Sequence, residues 1–159
     1  MERFRFLATA NIFLVRGASI LLIRRAHTGF YDGHYEGPAG HLEGNETVRE
    51  AAAREAFEEV GVVIDPLDLE VVHVMHRYGE RAERIEFFLV AAKWTGDPTN
   101  KEPDKCDDVA WFPLSALPTN MVPKTESAIL LYNSGVRFSE FGWPDRASER
   151  SSILRGPVA

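Results

Sequence analysis

One cysteine, Cys106, is all that the 159 residues contain, so no internal disulfide can form and a secreted disulfide scaffold is excluded. A reducing, cytoplasmic setting is the expectation. No apolar run approaches the roughly 18 to 20 residues that a membrane-spanning helix requires, so no membrane partner is expected. The opening Met1-Glu2-Arg3-Phe4 mixes charge with apolar residues and reads as no signal peptide. Positive charge is also in short supply. With 18 basic against 24 acidic residues the net charge is -6, which argues against a nucleic-acid polymer as partner but leaves room for a small anionic ligand met by a few arginines. With 12 glycines and 9 prolines, low complexity is not indicated. No G-x-S-x-G elbow and no G-x-x-x-x-G-K-[ST] loop occurs, which removes serine-hydrolase and P-loop chemistry. The five histidines form no metal-ligand pattern, and His73 and His76 read as structural. Cys106 stands beside two aspartates and lacks the electropositive setting of a reactive thiolate.

What is present is an ordinary globular composition, 45% hydrophobic, at a length that fits one domain. Phe4 to Val15 and Ser19 to Arg24 read as a hairpin turning at Arg16-Gly17-Ala18. Thr28 to Gly44 is glycine-rich with interleaved aromatics and reads as one long functional loop. Thr47 with Glu50 makes a capping box and Gly61 suits a left-handed C-terminal position, which predicts a helix over Val48 to Val60. Strands are predicted over Leu69 to Tyr78, Arg84 to Trp94 and Val109 to Phe112, and a last helix over Glu126 to Asn133. Interspersed strands and helices imply a mixed α and β fold. The domain is expected to occupy 1–141, with 142–159 a tail or arm.

On the predicted helix, Glu55, Glu58 and Glu59 follow one another at steps of three and four and so share a face. Unpaired, that arrangement is unfavourable, since like charges at such spacings cost about 0.2 to 0.5 kcal/mol each and the helix C-terminus disfavours anions. A divalent cation reverses both penalties, and magnesium suits all-oxygen ligands shared with phosphate. The bland alternative is a solvated acidic face. Arg54, four residues from both Glu50 and Glu58, is placed to pair with each and to orient Glu58.

Context bears on that choice. Gly40, five residues, Glu46, seven residues, then Arg54-Glu55-Ala56-Phe57-Glu58-Glu59-Val60-Gly61-Val62 resembles the Nudix box of the Nudix hydrolase superfamily, in its MutT-like branch. With seven fixed residues, a chance match has a probability of about 10⁻⁸ per starting position. Ala56 departs from the larger aliphatic residue the family prefers, a matter of packing. Tyr35-Glu36-Gly37-Pro38-Ala39-Gly40-His41-Leu42-Glu43 looks like the family's approach to the box, and the likeness runs from about Leu7 to Leu117. It implies an α/β/α sandwich around a mixed β-sheet. It further implies that the Ala39 carbonyl and the carboxylates of Glu55, Glu58 and Glu59 contact Mg²⁺, for which Mn²⁺ can substitute, and that water attacks phosphorus. Glu55, Glu58 or a carboxylate from a distant loop takes the proton. The family habit of supplying one more acidic residue makes Glu102 the best-placed candidate, ahead of Asp104, Asp107 and Asp108; its bland reading is a solvated loop carboxylate.

Arg24 and Arg25 end a strand on opposite faces, so only one of them can face the site; an arginine fork suits phosphate, and a solvated strand end is the bland alternative. Tyr35, with Phe30, Tyr31, Trp111 and Phe112, is an aromatic that either stacks a base or fills the core. Three functions compete: a nucleoside triphosphate pyrophosphohydrolase, an ADP-ribose or nucleotide-sugar pyrophosphatase, and a silent nucleotide-binding module whose glutamates would be expected to have decayed. The first is preferred, with a small-molecule nucleotide as partner and a homodimer as a possible assembly. The segment Lys101-Glu102-Pro103-Asp104-Lys105-Cys106, which resembles nucleotide-sanitising members, carries that preference.

Overall fold

A computed structural model describes residues 1–79 and 81–145, so most of the expected arm, 146–159, lies outside the described residues. Strands β1 (Leu7–Arg16) and β2 (Ser19–Arg25) join across Gly17, whose φ of 58° is left-handed. They pair with each other only at Val15 with Ile20 and at Arg16 with Ser19. Beyond that contact the two strands part. β1 runs parallel to β6 (Arg84–Ala91) from Leu7 opposite Arg84 to Leu14 opposite Ala91, and β2 runs antiparallel to β7 (Cys106–Pro113). The expected hairpin is therefore the crossing between two parts of a larger sheet. Its strands are apolar along nearly their whole length because both faces are covered.

The segment read as one long loop holds two short strands, β3 (Tyr35–Glu36) on β2 and β4 (Ala39–His41) on β1. Glycine makes the step between them possible. A Cβ on Gly37 would stand 2.6 Å from the Ile12 carbonyl oxygen, and the neighbouring Pro38 carbonyl accepts the Ile12 N–H at 2.8 Å.

With β5 (Glu70–Arg77) and β8 (Phe138–Phe141), the strand order is β3-β2-β1-β6-β5-β8, with β4 paired to β1 and β7 to β2. The sheet is mixed: β1/β6 and β5/β8 are parallel, the other pairs antiparallel. β8 escapes sequence reading because Phe-Ser-Glu-Phe is too short to show a period. His73 fixes it from the interior, with Nδ1 2.8 Å from the Val136 carbonyl and Nε2 2.8 Å from the Ser139 hydroxyl.

Helix α1 (Val48–Val60) keeps the predicted bounds, with both halves of the capping box formed and Gly61 left-handed at φ 75°. Its buried Ala51, Ala52, Ala56 and Val60 pack with Ala10, Ile12, Leu14 and Leu89 on one face of the sheet. Helix α2 (Pro123–Asn133) begins three residues earlier than expected, because Pro123 supplies a preset φ at its first turn. It covers the other face through Ala128 and Ile129 against Phe13, Phe88 and Met75. Helices on both faces of a mixed sheet make the α/β/α sandwich. Among the described residues no helix is long and apolar enough to cross a membrane.

Beyond the N-terminus of α2 the same face turns polar. Glu86 is fully buried, accepts from Lys124 Nζ and Arg77 Nε at 2.5 Å each, and accepts from Asn11 Nδ2 at 3.2 Å. Burial pushes its carboxyl up, but the Lys124 ammonium and the Arg77 guanidinium outweigh burial and bring the pKa to about 2, from 4.5. A depressed folded pKa contributes stability that is present above 4.5 and fades as pH falls toward 2. Glu86→Ala leaves two cations without their anion and is expected to cost about 3 kcal/mol at pH 7. Urea unfolding from pH 7 down to pH 3 should show the gap between variant and wild type shrinking. A gap that is constant or grows on acidification contradicts the assignment.

Candidate active site

Three elements meet at the edge of the sheet. Strand β4 presents the Ala39-Gly40 backbone, α1 lays its last two turns over it, and the segment before β7 closes the third side. Small side chains permit the approach: Ala51, Ala52 and Ala56 are fully buried, so the helix backbone rides close to the sheet. Ala56, where a larger aliphatic residue was expected, fills that place within the core. Gly40 takes the contact to its limit. A Cβ there would lie 1.9 Å from Glu55 Oε1, so a side chain at position 40 would push the Glu55 carboxylate from this place.

Glu59 is partly buried and its Oε2 accepts the Ala39 N–H at 3.0 Å. Burial carries its carboxyl well above the usual 4.5, the carboxylates of Glu36, Glu55 and Glu102 add to the shift, and the Ala39 N–H only partly opposes it. Glu55 is also raised, first by burial and then by Glu58 and Glu102, against the pull of Arg54. Glu58 stands half-exposed at the rim, 3.3 Å from Arg54 Nη1.

Arg54 is the hub of this face. Its Nε and Nη2 grip Glu46 at 3.0 and 2.9 Å in a two-pronged fork, Nη1 reaches Glu55 at 2.8 Å, and Nη2 also donates to the His41 carbonyl at 3.1 Å. The hydrogen bonds to Glu46 and Glu55 hold its pKa above the ordinary arginine value. The expected pairing with Glu58 is present, but Glu50 is not a partner. Glu50 spends its carboxylate on the Thr47 N–H at 2.7 Å in the capping box, and Glu46 stands in its place on Arg54. In the sequence Glu46 is a fixed spacing residue eight positions from Arg54, a separation that no helical step relates.

Glu102 comes to the same place. The segment that carries it is tied to the end of α1, because Thr99 N–H donates to the Val60 carbonyl at 2.9 Å and Lys101 N–H to the Glu59 carbonyl at 3.0 Å. Glu102 then lines a cleft with Ile23, Arg25, Glu36, Glu59 and Lys105, and its Oε1 accepts from Lys105 Nζ at 3.0 Å. Glu36, buried on β3, and Lys105 were not singled out from sequence. Glu36 was legible only through the pairing of β3 with β2, which sets it opposite Ile23.

The two arginines divide as strand alternation requires. Arg25 faces the cleft but is engaged, with Nη1 on Glu36, Nε on the Phe30 carbonyl at 2.6 Å and Nη2 on Thr28 Oγ1 at 3.1 Å. Arg24 lies outside, paired with Asp107 at 2.7 Å. Tyr35 is a core residue: only 7% of it is exposed, its ring packs edge-on against Phe112, and its hydroxyl donates to Asp108. Its ring offers no open face for stacking. The Cys106 thiol borders the cleft, donates to the Asp108 carbonyl at 3.1 Å, and is pushed up by burial.

The donor set fits a hard divalent cation: carboxylate oxygens from one helix face, a fourth carboxylate from the Glu102 segment, and Glu55 and Glu59 raised by burial with neighbouring carboxylates adding to it. Among the described residues no three such side chains are already gathered as a cage. Glu55 is turned toward Arg54, and Glu59 toward the Ala39 N–H.

The family model for the NUDIX domain matches residues 5–132. An 8-oxo-dGTP diphosphatase of Proteus vulgaris is 28% identical over 102 residues, covering 64% of this chain and 89% of its own. An NAD-capped RNA hydrolase NudC of Chromobacterium violaceum is 30% identical over 110 residues, 68% of this chain; the match spans only 38% of that relative's length. Among solved structures, the MutT NUDIX hydrolase from Burkholderia pseudomallei superposes with a TM-score of 0.73 at 25% identity, over 80% of this chain and 98% of that one.

A raised folded pKa means that the ionised Glu59 destabilises the metal-free fold above pH 4.5, and that this penalty disappears below it. Glu59→Gln in excess chelator at pH 8 is therefore expected to raise Tm by about 3 °C or more. The two proteins should converge as pH falls toward 4.5. A variant that melts lower than wild type at pH 8 refutes this electrostatic account.

Proposed function

The chain belongs to the NUDIX domain family and is a hydrolase, and from that premise we propose that it splits a nucleoside triphosphate to the monophosphate and pyrophosphate with the help of Mg²⁺. The observation that carries the reading is the single cleft in which Glu59, Glu102 and Glu36 meet Arg25 and Lys105 beside the Glu55 carboxylate. A site for neutral substrates has no use for so many like charges at such a cost. The choice of a triphosphate is supported by the 8-oxo-dGTP diphosphatase relative, which matches over 89% of its own length.

The ion would be held by Glu55, Glu58 and Glu59 with the Ala39 carbonyl, and joined by Glu102. Bound there, it supplies charge neutralisation to phosphate oxygens and acidity to water. The remaining work falls to the protein. Arg54 fixes Glu55 and Glu58 in place through a fork anchored on Glu46. Gly40 leaves the Glu55 carboxylate room against the strand. Glu55 or Glu58 accepts the proton of the attacking water. Arg25 keeps the Thr28–Phe30 segment docked on the cleft wall rather than acting as a free phosphate fork. Arg24 and Tyr35 support the site from outside it. The competing reading, ADP-ribose or a nucleotide sugar as substrate, shares all of this chemistry and differs only in what the protein holds beyond the diphosphate.

Turnover is expected to require Mg²⁺ or Mn²⁺; undiminished rates in excess EDTA would sink the proposal. In a substrate panel with phosphate detection, nucleoside triphosphates should be split at least as fast as ADP-ribose, and a preference of about tenfold or more for ADP-ribose would select the competing reading. Glu102→Gln should lower kcat by about 10² or more. The same substitution should change stability by no more than about 0.5 kcal/mol. A normal rate in that variant returns Glu102 to the role of a loop carboxylate paired with Lys105.

A further inference from the structure

The loop that carries Glu102 is tied down at both ends. Its leading end is held to α1 by the Thr99 and Lys101 N–H bonds to the Val60 and Glu59 carbonyls. Its trailing end is held to β2, where the Ala26 N–H donates to the Lys105 carbonyl at 2.8 Å and Cys106 stands opposite Arg25. Between those ties the chain closes a single turn, in which the Glu102 carbonyl accepts both the Lys105 and the Cys106 N–H at 2.9 Å. The side chain of Asn100 spans that turn. Its Oδ1 accepts the Glu102 N–H at 3.0 Å and its Nδ2 donates to the Cys106 carbonyl at 2.6 Å.

Neither of these two bonds is needed to keep the loop on the body of the protein, since the backbone ties at its ends already do so. What the amide adds is internal, because it sets the separation of residue 102 from residue 106. The pairing also demands asparagine. One short side chain offers an acceptor and a donor together, whereas aspartate would bring a second oxygen against the Cys106 carbonyl and leucine would leave both backbone groups without that partner. Asn100 is partly buried and stands outside the lining of the cleft, which Glu102, Lys105 and Cys106 all reach.

The Glu102 side chain contributes little to its own placement. Its carboxylate pairs with Lys105, whose side chain is 65% exposed, and an ion pair open to water on a flexible stem fixes a carboxylate only loosely. The backbone therefore decides where Glu102 stands, and Asn100 holds that backbone by its N–H. We propose that Asn100 is a positioning residue, whose amide clamps the 102–106 turn and so aims the Glu102 carboxylate into the cleft that Glu59 lines. The proposal rests on the part given to Glu102 in the reaction above and adds the residue that places it. A reacting group must be held to within about 0.5 Å of its working position. Loss of a hydrogen bond that orients such a group commonly costs about 10- to 100-fold.

The test is a double-mutant cycle on the full chain with Mg²⁺, run on whichever phosphoanhydride the substrate panel shows to be split fastest. Asn100→Ala should lower kcat about tenfold with KM within about twofold. In a chain that already carries Glu102→Gln, the same substitution should cost less than about twofold, since there is no carboxylate left to place. Asn100→Asp keeps the size of the side chain and the acceptor for the Glu102 N–H but loses the donor to Cys106, and kcat should fall at least as far. If Asn100→Ala melts below the assay temperature, Asn100→Asp carries the cycle. Cys106 supplies a readout that needs neither metal nor substrate: it is the chain's single thiol and only 5% exposed, so its reaction with a chromogenic aromatic disulfide reports the opening of this loop. That reaction should be about tenfold faster in Asn100→Ala, while the unfolding temperature falls by less than about 5 °C. Wild-type kcat in either Asn100 variant, a loss undiminished in the Glu102→Gln background, or unchanged Cys106 reactivity overturns the positioning role and leaves the part of Glu102 intact. A normal rate for Glu102→Gln itself removes that part, and the positioning role with it.

Discussion

The near approach of α1 to β4 is the constraint on which the rest of the structure depends. Three buried alanines let the helix ride close to the sheet, and Gly40 lets a carboxylate rest against the strand with no side chain between. The placement of the three helix carboxylates follows. Glu59 is carried into the interior as far as the Ala39 N–H, Glu55 lies over Gly40, and Glu58 remains at the rim. The capping box at Thr47 and the left-handed Gly61 set where the helix begins and ends, and so which residues arrive at that contact.

Burying carboxylates is costly unless something compensates. Compensation inside the protein is partial and uneven. Arg54 serves Glu46, Glu55 and Glu58 together, Lys105 serves Glu102, and Arg25 serves Glu36, while Glu59 has only a backbone N–H. The polar network on the opposite face of the sheet shows what full compensation looks like. Glu86 is more deeply buried but meets two cations and an amide, and its pKa falls where that of Glu59 rises. One network holds the fold together; the other is left short of positive charge at the place where the chemistry is proposed to occur.

Local signals with a period or a cap were legible in the sequence. Thr47, Glu50 and Gly61 gave the helix its bounds to the residue, and the spacing of the three glutamates gave the acidic face. Pairings made across the sheet were not legible. Strands β3 and β4 are two and three residues long, too short to alternate, and they exist because β1 and β2 offer edges to pair with. The replacement of Glu50 by Glu46 as the partner of Arg54 depends on how the chain turns between β4 and α1, which no helical wheel contains. As a residue type Tyr35 suits a stacking ring and a core position equally; only its place opposite Arg24 on β2, against Phe112, decides for the interior.

The ties from the Glu102 segment to the helix end have a bearing on motion. The carbonyls of Glu59 and Val60, which a helix terminus normally leaves to water, are taken up by the N–H groups of Lys101 and Thr99. The last turn of α1 cannot fray without releasing that segment, and the segment cannot lift without exposing the helix end. Two regions forty residues apart in the chain therefore open together, as one local unfolding unit, and their amide protons should share a single protection energy in hydrogen exchange.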